Sequence, residues 1–134
     1  MICLDTNCVI YLIEANPVWG PKIAERLASL RKMGEAIAVS DLVRTECLAY
    51  PYSRGDSGLI ADYQTFFESD QVRMLPLTIA VCERAAQIRA ASSFRLKVPD
   101  CLHLAAAVEA GCSLFLTNDQ QLSQYHGVPV EILE

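Results

Sequence analysis

Four acidic residues stand where they could do chemistry together: Asp5, Glu46, Asp100 and Asp119. Asp5 follows a short apolar run at the N-terminus and opens the triplet Asp5-Thr6-Asn7. Glu46 lies inside a stretch of helical pattern that starts at Ser40-Asp41. It shares a stripe with Leu42 and Ala49, where that helix should face the core. A buried, unpaired carboxylate there would be costly, so Glu46 needs a cation, a proton or a wet cleft. Asp100 comes directly after Pro99, in the first turn of another helix. Asp119 follows an apolar run that ends in Thr117-Asn118. Each has a plain structural reading when taken alone. Asp5 and Asp119 suit helix caps, and Asp100 complements a helix dipole. Taken together they fit one purpose better. Closely spaced carboxylates resist joint ionisation, and a divalent cation removes that conflict. Oxygen ligands with no matching His or Cys set suit Mg²⁺ or Mn²⁺ rather than zinc. Such an ion activates water and steadies the charge on a phosphodiester under attack.

The elements that must position these acids can be read from the hydrophobic pattern. Residues 1–4, 36–39, 72–75, 113–117 and 130–133 are short apolar runs bounded by turn or cap residues, and read as buried strands. Helical spacing predicts helices over 8–14, 18–33, 41–48, 59–68, 78–94, 99–110 and 119–125. Gly34 and Gly111 are stop signals, and Pro99 is a start signal. Residues 50–58 are polar, with two glycines and a proline, and read as the one clear loop. Strands alternating with helices imply a parallel sheet covered on both faces. In such a sheet, function sits beyond the carboxyl ends of the strands. Asp5 and Asp119 would stand at those ends, and Glu46 and Asp100 on helices that converge there.

Composition narrows the classes. The chain has 134 residues, which favours a single domain over 1–134, and 52% apolar content excludes a largely disordered chain. The net charge of −5 argues against tight, nonspecific binding to a polyanion. The longest strictly apolar run is six residues, Cys8 to Ile13, far short of the roughly twenty a membrane span needs. The N-terminus has no basic region and Asp5 interrupts its apolar stretch, so no signal peptide is expected and the expected compartment is the cytosol. The six cysteines, Cys3, Cys8, Cys47, Cys82, Cys101 and Cys112, form no C-x-x-C pair. They read as small buried hydrophobes rather than zinc ligands. No phosphate-binding glycine motif occurs. A phosphatase using an aspartate nucleophile wants a second acid two residues on, where Asn7 stands.

The motifs Asp5-Thr6-Asn7, the helical Glu46, the run Pro99-Asp100-Cys101-Leu102-His103-Leu104-Ala105 and Thr117-Asn118-Asp119 resemble those of the PIN-domain ribonucleases. Within that group they are most similar to the VapC-type toxins of bacterial and archaeal toxin–antitoxin pairs. The resemblance spans almost the whole chain, in order. It implies a PIN-like α/β fold, a five-stranded parallel sheet in an α/β/α sandwich, and an endoribonuclease that depends on Mg²⁺ or Mn²⁺. Carried over by motif, Asp5 and Asp100 would bind metal directly. Glu46 would bind metal or orient the attacking water, and Asp119 would act through water or hold a second ion. Thr6, Asn7 and Thr117 would support the acids. Cys101 replaces the usual small alanine after the helix aspartate.

The resemblance also implies an antitoxin lying along the acidic groove and a homodimer as building block, for which residues 9–13 and 23–30 offer apolar faces. Arg44, Arg54, Arg95 and Lys97 are candidate phosphate contacts, with ordinary surface charge as the alternative. Tyr50 and Tyr52 could stack on bases. Trp19 and Tyr63 are core or partner contacts. His103, three residues after Asp100, reads as a packed, hydrogen-bonded histidine, with a catalytic or supporting role as the alternative. His126 has no partner in the pattern. A catalytically silent PIN domain that only binds a protein is the rival to the nuclease. With four acids assigned to one site, the other twelve nearly match the eleven bases. RNA affinity should then be local and metal-assisted.

Overall fold

The five apolar runs become strands β1 (Ile2–Leu4), β2 (Ile37–Ser40), β3 (Val72–Leu75), β4 (Leu114–Thr117) and β5 (Val130–Ile132) in a computed structural model that describes residues 1–134. They form one sheet in the order β3-β2-β1-β4-β5, with every neighbouring pair parallel. The connecting helices are α1 (Thr6–Ile13), α2 (Trp19–Lys32), α3 (Leu42–Ser53), α4 (Ser57–Glu68), α5 (Ile79–Ala91) and α6 (Val98–Glu109). A short 3₁₀ turn covers Gln120–Gln124.

Side chains alternate across the sheet with the two-residue period of a strand. Ile2, Leu4, Ile37 and Val39 join Val9, Ile23, Leu27, Val43, Tyr63 and Phe67 in one core, beneath α1 to α4. Cys3, Ala38 and Phe115 join Val81, Ala85, Ile88 and Leu104 in the other, beneath α5 and α6. The expected sandwich of helices on both faces is therefore present. The chain leaves the central β1 for β2 and β3 on one side, then returns to place β4 on the other. That reversal opens a crevice at the carboxyl ends of β1 and β4.

Several boundaries differ from the sequence reading. α3 continues past Leu48 to Ser53 and takes in the buried Pro51. Proline near the end of a helix removes one backbone donor, and the carbonyls of Tyr50 and Pro51 still accept from the amides of Arg54 and Asp56. The expected loop over 50–58 thus shrinks to residues 54–56. The buried stripe of α3 is Val43, Cys47 and Pro51, not Leu42 and Ala49, so Glu46 flanks the core rather than entering it. α5 ends at Ala91, and the next turn carries Ser93 and Phe94 at φ +53° and +63°. Five cysteines are buried and all six are free, but Cys82 is exposed. Ile23, Leu27 and Leu30 are taken up by the core and leave no free face on α2. Tyr63 is fully buried, whereas Trp19 is half-buried and stacks on Tyr11 at 5.9 Å. No helix is long and apolar enough to cross a membrane.

α2 stops as expected, one residue past its cap, at Gly34 with φ +85°. A Cβ at Gly34 would meet nothing within 4 Å, so only the left-handed backbone resists a side chain there. Gly34→Ala should therefore cost about 1–2 kcal/mol in urea unfolding without disturbing the fold. A loss under a few tenths would mean the turn relaxes.

Candidate active site

Asp5 is the first residue beyond β1, and its amide continues the ladder by donating to the carbonyl of Leu116 on β4 at 2.9 Å. Its carboxylate caps α1, accepting from the Thr6 amide at 2.8 Å. The other oxygen accepts from the Thr117 hydroxyl at 2.6 Å and from the Asn7 amide group at 3.4 Å. Only 5% of Asp5 is exposed. Burial pushes its carboxyl above the usual range, and the charge of Glu46 adds to this. His103, the Thr117 hydroxyl and the Thr6 amide pull it back in part.

Thr117 ties two of the acids together. While its hydroxyl donates to Asp5, it accepts from the Asp119 amide at 3.0 Å. Asn7 reaches across to accept from the Asn118 amide at 3.2 Å. Asp119 caps the 3₁₀ turn through Oδ1, which accepts from the Gln121 amide at 2.9 Å. The structural readings of Asp5 and Asp119 as caps are thus correct, and both remain at the edge of the crevice.

Glu46 arrives from α3 on the far side of α1. Its Oε1 accepts from the Thr6 hydroxyl at 2.7 Å and from Nε2 of His103 at 2.5 Å. Its side chain is 32% exposed, while that of His103 is 2% exposed. The hydrogen bond from His103, with that from Thr6, holds the Glu46 carboxyl below its usual range against a contrary push from burial. Nδ1 of His103 meets the hydroxyl of Ser40, the last residue of β2, at 2.7 Å. Glu46 is thus not the buried, unpaired carboxylate of the sequence reading: it is partly exposed and hydrogen-bonded to Thr6 and His103. The structural reading of His103 holds as well, and its partner is one of the acids. Ser40, read from the sequence with Asp41 as a helix start, instead closes β2, and its contact with His103 was not foreseen.

Asp100 occupies the first turn of α6 and is half-buried. None of the site's hydrogen bonds falls on it. A helix N-terminus favours an anion by only about 0.3–1 kcal/mol. Against that, burial first, then the charges of Asp5, Asp119 and Glu46, raise its carboxyl to about 6. His103 offsets this in part. The four acids therefore share one electrostatic neighbourhood. They do not close into a ready-made cage, however: no three His, Cys, Asp or Glu side chains are grouped so as to hold an ion by themselves. The Cys101 thiol turns away from the site, toward the carbonyl of Leu96 at 3.8 Å.

The candidate cations divide. Arg44 is engaged by Asp41 at 3.6 Å and lies over the Phe67 ring at 5.1 Å. Arg54 lies over Tyr50 at 5.5 Å, and Tyr50 and Tyr52 are exposed. Lys97 is the exposed cap residue of α6, three residues from Asp100. Arg95 is exposed and donates to the carbonyl of Ser92 at 3.0 Å.

A carboxyl raised on folding destabilises the fold where it is ionised. Below its unfolded value near 4 both states of Asp100 are protonated and nothing is lost. The penalty enters as pH rises from about 4 to about 6 and is complete at pH 7. Asp100→Asn should accordingly raise the stability of the metal-free protein at pH 7 by about 1 kcal/mol, allowing for solvent screening of a half-exposed group. The gain should vanish by pH 4. A destabilised Asp100→Asn at pH 7 in EDTA would contradict this electrostatic reading.

The sequence model of the PIN domain matches residues 2–128. No curated protein matches closely enough by sequence to count as a relative. Among solved structures, VapBC2 from Rickettsia felis bound to a promoter DNA fragment is similar over 100% of both chains, with TM-score 0.79 and 18% identity. DNA-bound VapBC from Salmonella typhimurium matches over 99% of this chain and 98% of its own, with TM-score 0.78 and 20% identity. VapC20 from Mycobacterium tuberculosis, described as a sarcin–ricin loop cleaving toxin, matches over 96% and 99%, with TM-score 0.76 and 18% identity. With the sheet order, the crevice acids and a family match over nearly its whole length, the chain belongs to the PIN-domain family.

Proposed function

We propose that this chain is an endoribonuclease dependent on Mg²⁺ or Mn²⁺, acting as the toxin of a toxin–antitoxin pair. The observation that carries the reading is the placement of Asp100 in the field of Asp5, Asp119 and Glu46, with no hydrogen bond of its own and no lysine or arginine paired to any of the four, which lifts its carboxyl to about 6. Such a group wants a cation that the protein does not itself supply. The absence of a three-residue cage fits Mg²⁺, which keeps several of its waters and takes only one or two carboxylates.

In this reading Asp5 and Asp100 would hold the ion directly and Asp119 through water. The ion would supply an activated water and charge stabilisation at the phosphodiester. Glu46, held ionised by His103 and Thr6, would take the proton of the attacking water. Thr6, Asn7 and Thr117 keep the carboxylates oriented. Arg54, Arg95 and Lys97 are free enough to meet phosphate, and Tyr50 and Tyr52 to meet a base. Arg44, engaged by Asp41 and Phe67, would contribute less. Support for a toxin comes from the fold, which is shared with VapBC complexes and with a toxin described as cleaving the sarcin–ricin loop. An antitoxin would then cover the acidic groove. A homodimer would use the half-exposed face of α1 at Ile10, Leu12 and Ile13, since α2 has none to offer.

The rival is a silent PIN domain that binds only a protein. RNA cleavage separates the two. The purified chain should cut RNA in Mg²⁺ or Mn²⁺ and stop in EDTA. Asp5→Asn and Asp100→Asn should each lose about 100-fold or more. Cleavage that survives both substitutions, or that never appears across varied RNAs, would overturn the nuclease reading.

A further inference from the structure

A chain of polar contacts through the buried His103 links four elements. Ser40 ends β2, His103 lies on α6, Glu46 on α3 and Thr6 on α1. Ser40 is fully buried and His103 is 2% exposed. No other side-chain partner competes for either: the Ser40 hydroxyl meets only Nδ1, and Nε2 meets only Glu46 at 2.5 Å and Thr6 at 3.2 Å.

Hydrogen-bond complementarity then places the proton that faces Glu46. An ionised carboxylate only accepts, so Nε2 must carry a hydrogen toward Glu46. On a neutral ring Nδ1 is then the acceptor for the Ser40 hydroxyl, which has no other side-chain partner. The Thr6 hydroxyl donates to the same Glu46 oxygen at 2.7 Å. Both donors therefore fall on Oε1, and none falls on Oε2. A carboxylate with one oxygen saturated by two fixed donors cannot rotate freely, and it presents the other oxygen in one direction.

We propose that His103, locked by Ser40, is a positioning residue that occupies Oε1 of Glu46 together with Thr6 and leaves Oε2 as the oxygen that works in the site. This rests on the nuclease reading for what Oε2 does, namely taking a water proton or meeting a bound cation's water. The arrangement itself does not depend on that reading. His103 touches neither substrate nor ion; it acts through Glu46. It resembles the outer partners that orient ligands in metal sites, whose loss commonly costs 10–100-fold in affinity or activity.

Two measurements test the proposal, one of them without any cleavage. Long-range ¹⁵N–¹H NMR reads the histidine tautomer directly, and the chain has only two histidines, so His126→Gln assigns the signals. His103 should carry its proton on Nε2 in the native protein, and Ser40→Ala should give a mixture of tautomers. A proton on Nδ1 of native His103 would overturn the proposal even if the chain cleaves RNA. The second measurement compares His103→Gln, which keeps a donor near the Nε2 position, with His103→Leu, which keeps none. His103→Leu should lower kcat about 10–100-fold with KM for RNA nearly unchanged, and should raise the half-saturating Mn²⁺ in calorimetry by a similar factor. His103→Gln should recover most of both. Equal losses in the two variants, tracking their melting temperatures, would reduce His103 to a packing residue. A native chain that binds Mn²⁺ with the expected tautomer yet never cleaves RNA would overturn the nuclease reading and leave the positioning role standing.

Discussion

Mutual repulsion among carboxylates at the carboxyl edge of the sheet sets the terms for everything around it. Asp5 is buried at the centre, and its charge reaches Asp100 on the neighbouring helix. Asp119 and Glu46 add to the same field. No lysine or arginine of the chain pairs with any of the four; its ion pairs lie elsewhere, as between Arg26 and Glu131 or Arg84 and Glu109. What the protein does supply is hydrogen-bond donors. Thr117 and the Thr6 amide serve Asp5, and the Thr6 hydroxyl and His103 serve Glu46. Hydrogen bonds of this kind hold a carboxylate in place, and His103 offsets the local charge only in part. The geometry is thereby fixed and the negative potential is retained.

The fold meets this requirement through the order of its strands. Placing β4 beside β1 brings residue 5 and residue 117 into hydrogen-bonding contact across 112 positions of chain. Placing β2 on the other side of β1 brings Ser40 under α6, where it meets His103. α6 can lie close to the sheet because Ala105, Ala106 and Ala107 are buried and small. The backbone gains nothing from Asp100, which loses hydration on folding and accepts no hydrogen bond in return. Stability given up at a site is a common mark of function, because a site optimised for the empty state would have no use for a ligand.

Much of this is legible in the sequence. The five strands fall within a residue or two of the apolar runs, because short, fully buried strands of a parallel sheet have little choice of composition. Asp5, Asp100 and Asp119 each follow a recognisable strand end or helix start, and the fold sets them at those points. Glu46 was found for a reason that proved inexact. The stripe assigned to α3 was displaced by one residue, because Leu42 and Ala49 look apolar while the true core face uses Cys47 and Pro51. Pro51 also hid the last turn of that helix. The role of Ser40 was out of reach: a serine at a strand end carries no sign of a partner 63 residues away. The apolar spacing at Ile23, Leu27 and Leu30 showed a buried face without showing that this chain's own sheet already covered it.

Repulsion of this kind makes one demand that can be observed without substrate: a divalent cation should settle among the acids. A crystal soaked in Mn²⁺ and measured at a wavelength where manganese scatters anomalously would reveal it. The account predicts an anomalous peak within coordination distance of Asp5 and Asp100, absent from crystals of Asp100→Asn. A native crystal at saturating Mn²⁺ with no peak near these carboxylates would contradict it.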